Sequence, residues 1–125
     1  MPPSLLIVED DLGQLDFLTA HFIRAGYRVV GVDHPRRALE AASFRQFQVA
    51  LVDASLPEMD GLELMQRMKR TQDDMQVVIL SGYEYPEWRS KLDGAFACLV
   101  KPCKLRLLET AVAEACERAA EEALV

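Results

Sequence analysis

Five residues with chemical potential each stand where a short apolar run ends. Glu9 and Asp10 follow Leu5-Leu6-Ile7-Val8, Asp53 follows Val49-Ala50-Leu51-Val52, Ser81 follows Val77-Val78-Ile79-Leu80, and Lys101 follows Ala97-Cys98-Leu99-Val100. Carboxylates crowded into one crevice repel, so they persist there by holding protons or by sharing a cation. Hard oxygen ligands suit Mg²⁺, which keeps several of its waters and takes few protein carboxylates. Asp10 and Asp53 are the expected direct ligands, and Glu9 the expected contact through water. Lys101 would add a second positive charge and Ser81 a hydroxyl donor. This inventory suits phosphoryl transfer onto a carboxylate: one Asp53 oxygen attacks, and an acyl phosphate forms. The metal would orient the phosphoryl group and offset its developing charge, while Lys101 and Ser81 hold the remaining oxygens. Losing one preorganised contact of this kind costs about 3–4 kcal/mol in other enzymes.

Taken singly, each position has a plainer explanation. An acidic residue after a strand is usually a helix cap, and Asp11, just before Leu12, is expected to be one. Ser81 alone would be a turn residue and Lys101 alone a solvated charge. Independent caps have no reason, however, to supply metal ligands, a nucleophile and a counter-charge together.

For these residues to meet, the apolar runs must be neighbouring parallel strands. Residues 5–8, 49–52, 77–80 and 97–100 have no polar face and are expected to be buried on both sides. Residues 28–32, with three valines, form the remaining strand. Helical stripes separate the strands: Leu12, Leu15, Leu18, Phe22 and Ile23, ending at Ala25-Gly26; then Ala38, Leu39 and Ala42 behind Pro35. Leu62, Met65 and Met68 mark a third helix within 61–70, residues 86–92 a short fourth, and Leu105, Leu108, Val112, Ala115 and Ala119 a long fifth. Five strands alternating with five helices predict a doubly wound α/β fold, flavodoxin-like, with a parallel sheet in the order 2-1-3-4-5. Ligands bind such sheets beyond the carboxyl ends of the strands, where all five residues fall. No repeat or linker interrupts the 125 residues, and 1–125 is expected to be one domain.

Composition narrows the function. Net charge is −6 with no basic cluster, which argues against direct nucleic-acid binding. No apolar run approaches the roughly 20 residues of a membrane span, and the start lacks the basic and apolar regions of a signal peptide. A cytoplasmic location is therefore expected. Three cysteines, Cys98, Cys103 and Cys116, lack disulfide or metal-ligand spacing and are expected to be reduced thiols.

In its motifs the sequence resembles the receiver domains of bacterial two-component systems over essentially its whole length. Leu5-Leu6-Ile7-Val8-Glu9-Asp10-Asp11 resembles the family's opening strand and acidic pair. Leu51-Val52-Asp53, followed by Leu56-Pro57-Glu58-Met59-Asp60-Gly61, resembles the phosphoacceptor strand and its loop. Val78-Ile79-Leu80-Ser81-Gly82 resembles the strand ending in a switch hydroxyl, and Gly94-Ala95 with Leu99-Val100-Lys101-Pro102 the strand ending in Lys-Pro. The resemblance implies that Asp53 is phosphorylated by a histidine kinase or histidine phosphotransfer protein, switching affinity for a downstream partner. It implies that the Ser55 carbonyl completes the Mg²⁺ site and that the Lys101–Pro102 peptide is cis. A monomer or weak dimer is expected.

Two departures bear on output. Cys98 stands where the family usually has Tyr or Phe, so an inward aromatic swing cannot be the readout. The stretch between Ser81 and Lys101 is about two residues shorter than the family pattern, and Pro86 falls inside it. Trp88, Tyr83 and Tyr85 share this segment and could serve an interface. A receiver-like module that binds its partner without phosphorylation is the competing class. An enzyme acting on small phosphorylated molecules through an aspartyl-phosphate generally wants a second Asp two residues after the nucleophile as its acid, where this chain has Ser55. A nucleotide-binding domain would need a Gly-rich loop after the first strand, and none is present.

Overall fold

The computed structural model describes residues 2–82 and 94–124. Strands β1 (Ser4–Val8), β2 (Arg28–Val32), β3 (Val49–Asp53), β4 (Gln76–Ser81) and β5 (Ala97–Val100) form one parallel sheet in the order β2-β1-β3-β4-β5. Four helices are present among the described residues: α1 (Leu12–Arg24), α2 (Pro35–Phe44), α3 (Gly61–Thr71) and α4 (Leu105–Ala123). The sheet order is the one expected. The short helix expected over 86–92, with Trp88, Tyr83 and Tyr85 nearby, lies outside the described residues.

The three apolar central strands are buried along their whole length, because helices cover both faces. On one face Leu6, Val8, Val52 and Ile79 pack against Ala38 and Ala42 of α2 and Leu64, Met65 and Met68 of α3. On the other, Leu5, Ile7, Leu51 and Val78 pack against Leu15, Leu18 and Phe22 of α1 and Leu108, Val112 and Ala115 of α4. This alternation of side chains is the period of two of a strand whose faces are both covered. The edge strands β2 and β5 are only partly buried.

Local chemistry starts and stops the helices. Asp11 caps α1 by accepting the Gln14 N–H at 3.0 Å, as expected of it, and Asp60 caps α3 by accepting the Glu63 N–H at 2.8 Å. Pro35 opens α2, where His34 Nδ1 accepts the Arg36 N–H at 3.0 Å. Beyond α1 the chain reverses through Gly26, whose φ of 101° only glycine adopts cheaply.

Candidate functional site

Register decides which side chains share the carboxyl end of the sheet. Val8 pairs with Val52, so the next residues, Glu9 and Asp53, leave neighbouring strands side by side. Asp53 in turn pairs with Leu80, placing Ser81 one step beyond. Backbone bonds hold each strand end in place: Glu9 N–H to Val32 O at 3.1 Å, Ala54 N–H to Leu80 O at 2.8 Å, and Lys101 N–H to Ser81 O at 2.7 Å. The five chemically capable residues are thus presented by a rigid frame.

Their geometry forms an acidic pocket crossed by the Lys101 ammonium. Carboxylate oxygens of Glu9, Asp10 and Asp53 all lie within 4.8 Å of one another, with Glu9 and Asp53 buried and Asp10 exposed. Lys101 Nζ lies 3.2 Å from Glu9 Oε1 and 3.3 Å from Asp53 Oδ1. The Ser55 N–H donates to Asp53 Oδ1 at 3.2 Å, and the Asp11 N–H donates to Glu9 Oε2 at 3.2 Å. Ser81 is buried at the end of β4. The Lys101–Pro102 peptide is cis, as the resemblance implied.

Electrostatics follow from this packing. Burial, reinforced by contact with Asp53, pushes the Glu9 carboxyl up to about 7, against the pull of the Asp11 N–H and Lys101. Burial would lower the Lys101 ammonium, but Asp53 and Glu9 outweigh it and raise it above its ordinary value. A carboxyl that holds its proton near neutral pH beside two other carboxylates is short of positive charge. An oxygen-only donor set with one solvent-facing member fits a hard divalent ion that keeps part of its hydration shell.

Two features of the surrounding loop escaped the sequence reading. Gly61 donates its N–H to Ala54 O at 3.0 Å, and a Cβ there would meet Asp53 O at 2.6 Å. Its type is therefore dictated by the close approach of α3 to the backbone of Asp53. Glu58, at φ 65°, lies 3.3 Å from His34 Nε2 and 3.6 Å from Arg36, tying the loop between β3 and α3 to the start of α2. The Glu58-Met59-Asp60-Gly61 stretch offered a turn signal for the first, but nothing local announces the second.

A doubly wound α/β domain with CheY-like topology and an acidic pocket at the carboxyl ends of its strands is what fold and geometry define. The chain belongs to the response regulator receiver domain family, whose pattern matches residues 5–113. It is therefore a signalling domain of two-component systems. It is 38% identical over 109 residues to the transcriptional activator protein PfeR of Pseudomonas aeruginosa, covering 86% of this chain and 35% of PfeR. To sporulation initiation phosphotransferase F of Bacillus subtilis it is 29% identical, covering 90% of this chain and 92% of that protein. The response regulator receiver domain protein of Methanospirillum hungatei superposes with a TM-score of 0.92 at 28% identity, covering 98% of this chain and 99% of that one. The chain spans about a third of the length of PfeR. Among the described residues, no helix is long and apolar enough to cross a membrane.

Proposed function

We propose that Asp53 accepts a phosphoryl group from a phosphohistidine of a histidine kinase or histidine phosphotransfer protein, and that the acyl phosphate changes affinity for a downstream protein. One Asp53 carboxylate oxygen attacks phosphorus, the phosphorus–nitrogen bond breaks, and the imidazole leaves with its electron pair and takes up a proton. Mg²⁺ would be held by Asp10, Asp53 and the Ser55 carbonyl, with Glu9 through water, and when bound it supplies charge neutralisation for the incoming phosphoryl oxygens. Lys101, already poised between Glu9 and Asp53, turns its ammonium to one of those oxygens. Ser81 donates its hydroxyl to another.

The observation that carries this reading is the placement of Lys101 Nζ within 3.3 Å of Asp53 in a pocket of three carboxylates. A second observation bears on the donor. Gln14, Phe17 and Leu18 of α1 face Pro102, Leu105 and Leu108 across an apolar groove beside Lys101, and Leu12, Phe17 and Leu107 are exposed. An exposed apolar rim around a polar centre suits a docking protein surface.

Cys98 bears on the output of the domain. On β5, level with Ile79 of β4, it is half-buried and packs against the core cluster on the α2–α3 side of the sheet. A thiol there leaves partner binding independent of any aromatic rotation, and binding without phosphorylation is the second reading. Incubation with acetyl phosphate and Mg²⁺, followed by intact mass, tests the primary reading. One phosphoryl adduct on the wild type and none on Asp53→Asn supports it. No adduct from acetyl phosphate or from a phosphorylated histidine kinase overturns it in favour of the second.

A further inference from the structure

Two strands away from Asp53, the outer edge of β2 carries a separate set of unused groups. Among the described residues, β2 pairs only with β1. Arg28 N–H bonds to Pro3 O at 2.9 Å, and Val32 O accepts the Glu9 N–H at 3.1 Å. In a parallel ladder alternate residues bond to the same neighbour, so Arg28, Val30 and Val32 face β1. The N–H and C=O groups of Val29 and Gly31 therefore point to the open edge, and Gly31 is exposed.

A cavity of about 430 Å³ lies along the first half of this edge, lined by Ser4, Arg28, Val29, Val30, Arg45 and Phe47 among others. Among the described residues, no carboxylate lines it. Arg28 and Arg45 are both exposed, and neither forms an ion pair among the described residues. Phe44, next to Arg45, leaves most of its ring in solvent at 82% exposure. Arg28 and Arg45 thus form a cationic corner with an aromatic beside it in a chain of net charge −6.

We propose that the open edge of β2 and the Arg28–Arg45 corner bind an extended acidic peptide segment of a partner protein by strand addition. Main-chain hydrogen bonds to Val29 and Gly31 supply the pairing, and every second side chain of the segment points to the face carrying the two guanidinium groups. Complementary charge selects an acidic segment over a basic or neutral one. The site is independent of Asp53 chemistry, so Asp53→Asn binds as well as the wild type. The opposing role for edge arginines is to deter strand pairing altogether.

The probe is a blocked peptide of about eight residues alternating Glu and Val, long enough to pair along a strand of this length, with a Lys–Val peptide as control. Backbone amide resonances of the full chain are followed during titration. The Glu–Val peptide should shift the Val29 and Gly31 amides and slow their exchange with solvent, and Arg28→Glu with Arg45→Glu should weaken it by about tenfold or more. Val29→Pro removes only an outward N–H, a change tolerated on edge strands, and should abolish the protection of Gly31. Both arginines are exposed, so the charge variants carry the test even if Val29→Pro unfolds. Absence of shifts at millimolar peptide, equal binding of the Lys–Val peptide, or unweakened binding to folded Val29→Pro would each overturn the proposal.

Discussion

Lys101 Nζ stands 3.3 Å from Oδ1 of Asp53 and 3.2 Å from Oε1 of Glu9, a residue 92 positions away in the chain. The single ammonium is shared between two buried carboxylates. Replacing it with the uncharged stem of Lys101→Met removes the cation that would meet an incoming phosphoryl oxygen. The rate of adduct formation with acetyl phosphate should fall by about 100- to 1,000-fold, by analogy with losing one preorganised donor. A mass-spectrometric time course measures it. A rate within about threefold of wild type would remove Lys101 from the proposed chemistry.

Stability of the metal-free protein should fall as pH rises through the acid range. Glu9 has an ordinary value of 4.5 and is raised to about 7 in the folded chain, so the native state holds the extra proton between those values. Stability then declines from about 4.5 through about 7 and levels off above, the reverse of an ion-paired carboxylate. Lys101 acts the other way: its raised value adds stability that persists through neutral pH and is lost only as the ammonium finally titrates. Mg²⁺ should reverse the decline, because it takes the place of the proton, so its stabilising effect should be larger at pH 8 than at pH 5. Thermal melts with and without Mg²⁺ at the two pH values read this directly.

Asp53→Asn should raise the melting temperature of the metal-free protein at pH 8 while abolishing phosphorylation. The substitution removes one of the charges that push the Glu9 carboxyl upward. Function and stability thus move in opposite directions, a trade expected where like charges are held together for chemistry. Unchanged or lowered stability at that pH would argue against repulsion in the pocket.

Gly61→Ala should lower stability by about 1–3 kcal/mol, as overpacking does elsewhere. The new methyl would stand 2.6 Å from Asp53 O and 2.9 Å from Ala54 Cα, both backbone atoms with no rotamer to change. Relief requires α3 to withdraw or the Asp53 backbone to shift, so adduct formation should slow as well. Urea unfolding and the acetyl phosphate time course together separate this from a purely structural loss.

Phe17→Glu should slow phosphotransfer from a phosphorylated protein donor by about tenfold or more, as loss of an aromatic anchor does at other interfaces. Acetyl phosphate, which needs no docking surface, should react at the wild-type rate. Phe17 is exposed on α1 and lines the groove that includes Lys101 and Pro102. Equal slowing with both donors would mean that the substitution disturbs the pocket rather than the docking.

Much of the architecture can be read along the chain because its signals are local. Four-residue apolar runs at 5–8, 49–52 and 77–80 require burial on both faces, which a helix-covered parallel sheet provides. Each run stops at the polar residue that the acidic pocket uses, and Asp11 caps α1 from its own local sequence. The motifs around Asp53 and Lys101 therefore carried both fold class and chemistry. Other matters needed the assembled molecule. That Glu9, Asp53 and Lys101 share a crevice was expected from the strand order, but their contact distances depend on a register that pairs Val8 with Val52. Gly61 owes its identity to the backbone of a different element, and Glu58 meets His34 only because α2 and the loop after β3 are packed together. The open groups of Val29 and Gly31 follow from the register, which turns Arg28, Val30 and Val32 towards β1 on the outermost strand that the predicted order placed there. Periodicity and capping act over a few residues and are written in composition. Proximity between distant residues is created by the crossovers, and no short stretch of sequence contains it.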